Sequence, residues 1–502
     1  MKNLLFFLIF TLCFSIIHGQ SPNIMWQKTL GGTDQDEIFD IEPTSDGGFI
    51  IAGYTGSANG DVTANHGLQD MWVIKTDVSG NIQWQKTLGG SALDRASGIR
   101  QTNDGGYIVI GYTNSTDGDI TINHGMDDLW IVKLSPSGTL QWQKTYGGAY
   151  EEGGNNIYQT DDGGYIAIGF AISLNDGFRD MWILKLDDTG NIQWQKTFGN
   201  IYDDDGSQIR QTPDGNYIAI GTYSSLPGNT SDFWILKLGP SGNMIWQKMM
   251  GGSSRENPYD VQLTNDGGYI MTGYTQSSDG DVTGSHGQGE VWTVKLNSLG
   301  NIEWEKTFGG TSSDYGEAIK QTLDGGYIIA GIAQSANGDV TGNHGFHDFW
   351  VIKTDASGNI QWQQTLGGSS LDTARDIVQT SDDSYVVIGG TFSTDGNVTG
   401  NHGSLDGWIV KLKTEQLSTQ ENNINNIISL YPNPAKESFY LDNLPGEIIV
   451  HITDMSGRKL FTQKYNGKKV SINTNQFING VYMIQVECQG KTILSDKLII
   501  RK

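Results

Sequence analysis

Cysteine is almost missing from this chain of 502 residues, which has two, Cys13 and Cys488. Cys13 falls in an N-terminal leader, so one cysteine remains after processing and no internal disulfide can form. Basic residues are scarce as well, with 32 Lys and Arg against 56 Asp and Glu and a net charge of −24. That balance argues against nucleic acid and against an anionic membrane surface as partners. It allows cations, basic proteins and neutral glycans. The tail 428–502 holds ten basic and six acidic residues, so the acidic excess lies upstream of it. Beyond the leader no apolar run is long enough to cross a bilayer. The sequence shows no helical period, nucleophile elbow, phosphate loop, His-Glu-x-x-His helix or cysteine pair.

The leader is residues 1–19. Lys2 gives it a positive start, residues 4–17 are almost unbroken apolar sequence, and Gly19 offers a small residue for cleavage. This is the pattern of a secretory signal peptide, with Gln20 as the mature N-terminus. Leu12 stands before Cys13, where a lipobox needs a small residue, so a lipoprotein is excluded.

What the chain does have is tryptophan on a fixed period. The fourteen form two series, Trp26, Trp84, Trp142, Trp194, Trp246, Trp304, Trp362 and Trp72, Trp130, Trp182, Trp234, Trp292, Trp350, Trp408. Both advance in steps of 58, 58, 52, 52, 58 and 58 residues. A period of this size means a repeat architecture. In one unit, 96–101, 107–113, 128–134 and 139–146 read as strands bounded by turn residues. Seven four-stranded units suggest a β-propeller. The ends support it: 24–30 reads as a fourth strand, and 406–412 as a third strand whose unit lacks a fourth. Docking the first onto the last closes the ring and removes both edges. The expected fold is all-β, a seven-bladed propeller over 20–412, a polar linker over 413–427 and a small β-sandwich over 428–502.

The repeat carries chemistry at three places. One acid precedes each first strand: Asp36, Asp94, Glu152, Asp204, Glu256, Asp314 and Asp372. Another opens each third strand: Asp70, Asp128, Asp180, Asp232, Glu290, Asp348 and Asp406. Catalysis needs different roles at different positions, so a residue used seven times reads as architectural, accepting backbone N–H groups. Lys75, Lys133, Lys185, Lys237, Lys295, Lys353 and Lys411 each follow a third-strand Trp by three residues. A short turn would set Lys75 opposite Trp84, with its stem over the ring and its charge on the ring face.

Five units carry a long loop of the form Asn/Asp-Gly-Asp-Val-Thr-x-x-His-Gly. Its residues are Asn59, Asp61, His66; Asp117, Asp119, His124; Asp279, Asp281, His286; Asn337, Asp339, His344; and Asp395, Asn397, His402. Units three and four are six residues shorter and lack it. Two readings stand. The carboxylates and Gly turn fit a calcium loop without the third acid and distal Glu of an EF-hand; or the loop is a set of Asx turns, with the His packed on its own loop. Zinc is disfavoured, with one His and no Cys per loop. The tryptophans, set in apolar strands at one register, read as packing between blades rather than as sugar platforms.

Tyr-Ile-Val-Ile-Gly-Tyr-Thr, Asp-Leu-Trp-Ile-Val-Lys-Leu-Ser-Pro-Ser-Gly and Tyr-Gly-Gly together resemble the SBBP-type β-propeller repeats of bacterial secreted proteins. The resemblance covers all seven units, departs from that family in its Trp, and implies the fold and an extracellular setting. In the tail, Tyr431-Pro432-Asn433-Pro434-Ala435, Asp454-Met455-Ser456-Gly457, Gly480-Val481-Tyr482 and the basic end Arg501-Lys502 resemble the C-terminal sorting domain of the type IX secretion system of Bacteroidetes. That implies export through the periplasm, with the secretion machinery as partner, to the cell surface or the medium. The function expected is a non-catalytic binding or adhesion module for a glycan or protein, acting on the long-loop face with the gap over units three and four as its recess. The competing expectation is a polysaccharide lyase or hydrolase using carboxylates of that face.

Overall fold

The computed structural model describes residues 21–172, 177–226, 230–413, 428–454, 458–488 and 491–502. The leader 1–19, Gln20, the linker from 414 and the turn 455–457 lie outside the described residues. The chain divides into two compact units, Met1–Thr414 and Glu415–Lys502.

In the first unit, seven antiparallel four-stranded sheets follow one another. Blade one is Asp36–Pro43, Phe49–Thr55, Asp70–Thr76 and Ile82–Leu88. Blades two to six span 94–146, 152–198, 206–250, 256–308 and 314–366. Blade seven is Asp372–Gln379, Tyr385–Thr391 and Asp406–Lys413, with Asn23–Leu30 as its fourth strand. The expected closure is there: Gln27 pairs with Val410 and Thr29 with Trp408. First strands touch in sequence around the axis, and that of blade seven touches that of blade one. One backbone bond recurs at the junctions. Asp94 N donates to Gln69 O at 2.8 Å, and at the closing junction Asp36 N donates to Leu405 O at 2.7 Å.

Second and third strands are mostly apolar because neighbouring blades cover both faces; every residue of Phe49–Thr55 and Asp70–Thr76 is buried, the polar Asp70 and Lys75 included. Trp72, Trp130, Trp292, Trp350 and Trp408 are fully buried, and Trp182 and Trp234 nearly so. Each pairs across the strand with a glycine, as Trp130 does with Gly111. The first strand bulges there, and a Cβ on Gly111 would stand 1.8 Å from Arg95 O. The indole N–H is satisfied by the adjacent fourth strand, Trp130 Nε1 donating to Gln143 Oε1 at 2.8 Å. The other series lies nearer the rim. Trp84 meets Tyr107 of the next blade at 5.7 Å between centroids and lies under Gly138, whose φ of +78° and 2.9 Å approach exclude a side chain.

Lys75 does pair with Trp84 across the strand. Its charge goes elsewhere, which corrects the expected contact with the ring. Lys75 Nζ is buried and donates to Asp46 of the Asp-Gly-Gly turn at 3.1 Å, to Thr76 O and to Gln83. A buried ammonium needs a counter-charge more than a ring face. The other six lysines repeat the ion pair, with Asp104, Asp162, Asp214, Asp266, Asp324 and Asp382.

In the second unit, five strands hydrogen-bond as one sheet. Ser438–Thr453 breaks between Asp442 and Gly446, and its halves take different neighbours: 440–442 pair with 429–431, and 449–453 with 483–487. Ala435 bridges Ile500, and both halves feed one core that includes Phe439, Leu441, Val450 and Ile452. The small sandwich is therefore one bent sheet closed around a single core.

Candidate functional site

The seven acids before the first strands are buried. Asp94 accepts Gly90 N at 2.8 Å, Ser115 Oγ at 2.8 Å and the Thr113 hydroxyl. Asp36, Glu152, Asp204, Glu256, Asp314 and Asp372 accept the equivalent amide. In the five long-loop blades the acid opening the third strand fastens the loop. His66, His124, His286, His344 and His402 each set Nδ1 against Asp70, Asp128, Glu290, Asp348 or Asp406, at 2.5 to 3.3 Å. Asp180 and Asp232, in the short-loop blades, are half-buried instead.

The loop carboxylates point at the neighbouring blade's backbone. Asn59, Asp117, Asp279, Asn337 and Asp395 accept the amides of Thr33, Ser91, Ser253, Thr311 and Ser369, at 2.7 to 2.9 Å. Asp61, Asp119, Asp281 and Asp339 accept those of Gly31, Gly89, Gly251 and Gly309, as Asn397 does that of Gly367. Among the described residues no three His, Cys, Asp or Glu side chains converge as a metal site. Since these oxygens already hold amides, adding calcium or chelator to the purified protein is expected to leave its melting midpoint unchanged. A fall with chelator would place a structural cation in the loops.

The loops also cover tryptophan. Val62, Ile120, Val282, Val340 and Val398 are buried in the same clusters as Trp72, Trp130, Trp292, Trp350 and Trp408. The backbone next to the valine pairs with the preceding glycine: Asp61 N donates to Gly31 O at 2.9 Å, and Asp119 N to Gly89 O at 2.9 Å. Fourth-strand side chains complete the seat. Gln85 Nε2 donates to Asp61 O, Thr145 Oγ1 to Ile122 O at 2.7 Å and Thr307 Oγ1 to Thr283 O at 3.0 Å.

Among the described residues, blades three and four lack that cover and differ in what replaces it. In blade four Tyr223 lies edge-on to Trp234 at 5.1 Å. The same position in blade three is Ala171, and there a recess of about 330 Å³ opens, lined by Gly147, Glu152, Ala171, Trp182, Gln195, Lys196 and Thr197. Gly147 is exposed, whereas its equivalents Gly31, Gly89, Gly309 and Gly367 are buried. Gln195 Oε1 accepts Trp182 Nε1 at 3.2 Å. Burial raises Glu152 above the ordinary carboxyl range.

A second cavity, of about 380 Å³, lies on the axis toward the tight-turn face. The first-strand position lining it differs in every blade but one pair: Glu42, Arg100, Tyr158, Arg210, Gln262, Lys320 and Val378. Sequence reasoning missed these residues. Their signal was a register position that varies while its neighbours repeat. Their charges are matched: Arg100 pairs with Asp40, and Lys320 sits between Asp260 at 3.1 Å and Asp376 at 2.9 Å. The Tyr158 ring lies between the Arg100 and Arg210 guanidinium groups, 4.4 and 4.0 Å from its centroid.

Two sets of acids are displaced in opposite directions. Burial pushes Asp204 and Asp376 up to about 6. Asp46 is drawn down to about 2, first by the Thr44 hydroxyl and also by Lys75. Burial would raise Asp104, but Thr102 and Lys133 bring it to about 2. The raised pair adds stability below the unfolded value of 3.8 and loses it as pH rises through 6. The lowered group adds stability above 3.8 and loses it as pH falls toward 2. The melting midpoint is therefore expected to rise from pH 7 to pH 5 and to drop below about pH 3, which thermal scans across that range test.

Residues 429–501 match the secretion system C-terminal sorting domain. An uncharacterized WD repeat-containing protein of Acanthamoeba polyphaga mimivirus is 20% identical over 500 residues, covering 73% of this chain and 36% of that protein. The chain thus spans about a third of that relative's length. Among solved structures, PorZ, an essential surface component of the type IX secretion system of Porphyromonas gingivalis, is similar over 94% of this chain and 60% of its own, with 14% identity and a TM-score of 0.39. The extracellular domain of a hybrid two component system of B. thetaiotaomicron is similar over 96% and 60%, with 12% identity and a TM-score of 0.40.

Proposed function

We propose that this exported propeller is a non-catalytic binding module for a glycan or protein, and that it binds through the recess over Trp182. Its tail is a secretion-system sorting domain, which directs the chain to the cell surface or the medium. Removing 428–502 is expected to leave the folded propeller in the periplasm, as fractionation of the producing cells would show.

The observation that carries the binding reading is the uncovered seat in blade three. It offers an indole, an aliphatic floor at Ala171 and polar groups from Glu152, Gln195, Lys196 and Thr197, the mixture that small binding sites use. The acids before the first strands and those of the long loops favour binding over catalysis, because they are committed to backbone amides. The test is retention of the secreted chain on printed glycan and peptide arrays, with the captured ligand recovered and sized. Capture with the ligand intact is expected; no capture, or a shortened ligand, would overturn the reading.

One observation favours the enzyme as a second reading. Asp376, raised to about 6, shares the axial cavity with Glu42, also raised by burial. An acid near neutrality in a cavity is a candidate for proton transfer. It lies on the axis, away from the long-loop face where the sequence led us to expect such acids. Glycan cleavage abolished by Asp376→Asn would select this reading.

A further inference from the structure

The five long-loop blades show what the empty seat of blade three is shaped to hold. In each, a loop segment with an acidic or amide residue, a β-branched aliphatic residue and a threonine lies over the third-strand Trp. The aliphatic side chain packs beside the indole. The acidic residue meets the preceding glycine twice: in blade two, Asp119 N donates to Gly89 O at 2.9 Å and Asp119 Oδ2 accepts Gly89 N at 3.1 Å. The fourth strand's Gln and Thr then bind the segment's threonine and backbone carbonyls. Gln143 Nε2 donates to Thr121 Oγ1 at 2.8 Å, and Thr365 Oγ1 to Thr341 O at 3.1 Å.

Blade three keeps every part of this seat, and its shorter connection lacks that run of residues in sequence; among the described residues nothing of the kind lies over Trp182. Gly147 stands where Gly31 and Gly89 stand, Trp182 where Trp72 and Trp130 stand, and Gln195 and Thr197 where Gln143 and Thr145 stand. Among the described residues, Gln195 Nε2 and Thr197 Oγ1 find no acceptor, and Gly147 is exposed. The seat is not a relic of a shared design, because blade four, which also lacks the loop, has closed its own. Tyr223 fills the space over Trp234, and Met249 replaces the threonine.

We propose that the recess of blade three receives an extended peptide from a partner protein, with an acidic residue on Gly147, a β-branched aliphatic residue beside Trp182 and a threonine on Gln195 and Thr197. This deepens the binding reading above and rests on it. The five long loops are fastened within their blades by their histidines, and the sequence at 173–176, Ser-Leu-Asn-Asp, lacks the acid, aliphatic, threonine order, so the occupant comes from another molecule. The recognition is a strand-like addition to the top of the blade, in which backbone bonds give affinity and one side-chain pocket gives selectivity.

The test uses the full secreted chain and a fluorescein-labelled peptide of the sequence at 337–345, Asn-Gly-Asp-Val-Thr-Gly-Asn-His-Gly, read by anisotropy. Two protein variants carry the residues of blade four, Ala171→Tyr and Thr197→Met, with melting curves to confirm folding. Saturable binding is expected. It should weaken about tenfold or more when the peptide carries Val340→Ser, the effect of withdrawing one buried aliphatic side chain, and vanish with Ala171→Tyr. Three results would overturn the proposal: no saturation at millimolar peptide, binding indifferent to both variants, or self-association dispersed by Ala171→Tyr, which would make a second copy the occupant. Glycan capture lost in Ala171→Tyr without peptide binding would keep the binding function and discard the peptide. Absence of any capture would discard both.

Discussion

A chain lacking Asn23–Leu30 is expected to lose its cooperative melt and to emerge as aggregate. That strand supplies the fourth edge of blade seven, pairing with Asp406–Lys413. It also supplies Gln27, whose side chain accepts Trp408 Nε1 at 2.7 Å, and buried Leu30. Leu30 alone contributes about 2–3 kcal/mol by burial. Each lost ladder bond adds about 1 kcal/mol where its partner stays buried. Total stabilities are about 5–15 kcal/mol, so the loss is of the order of the whole. The exposed strand then offers an edge for pairing with other chains. Fusing the missing strand after Lys413 should restore a monomer, since the seventh blade needs the strand and not its place in the sequence. Size exclusion and thermal unfolding of the three forms test this. An intact, monomeric truncation would mean the ring does not depend on its closure.

The second large effect is expected from Trp130→Ala. The indole is fully buried between blades, and its removal leaves a cavity and takes the donor from Gln143 Oε1. Large-to-small changes of this kind cost about 3–5 kcal/mol. Trp84→Ala is expected to cost less, because Trp84 is half-exposed and keeps one face on Tyr107. Urea unfolding midpoints should therefore order wild type, Trp84→Ala, Trp130→Ala from highest to lowest. The reverse order of the two variants would contradict the assignment of the third-strand series to the core and the other to the rim.

Repetition made much of this readable from the chain alone. The offset between the two Trp series announced that the first strand belongs to the last blade, and the pairing of Thr29 with Trp408 realises it. The pairing of Lys75 with Trp84 was expected from a two-residue turn; the turn is longer, closing at Asp77 and Asn81, and a bulge between Lys75 and Thr76 restores the register. The direction of the Lys75 ammonium did not follow from sequence, because its partner Asp46 sits in a turn far along the chain and burial decides between an ion pair and a ring. The long loops were visible as Asp-Gly-Asp pieces. Their binding of the neighbouring blade's amides was hidden, since backbone N–H groups leave no mark in composition. The axial residues escaped for the opposite reason. A register that holds Arg100, Tyr158 and Lys320 in different blades carries no repeated residue, so periodicity does not mark it. Ala171 was hidden in the same way, an unremarkable alanine whose meaning depends on Tyr223 one blade on.

The most direct test of the central claim is to print one glycan and peptide array and probe it with the wild-type chain and with Ala171→Tyr side by side. The variant fills the recess with the residue blade four already tolerates, so its fold should be unchanged. If the function lies in blade three, every ligand captured by the wild type will be lost by the variant. Equal capture by the two proteins would contradict the account and move the site to the axis or to the long loops.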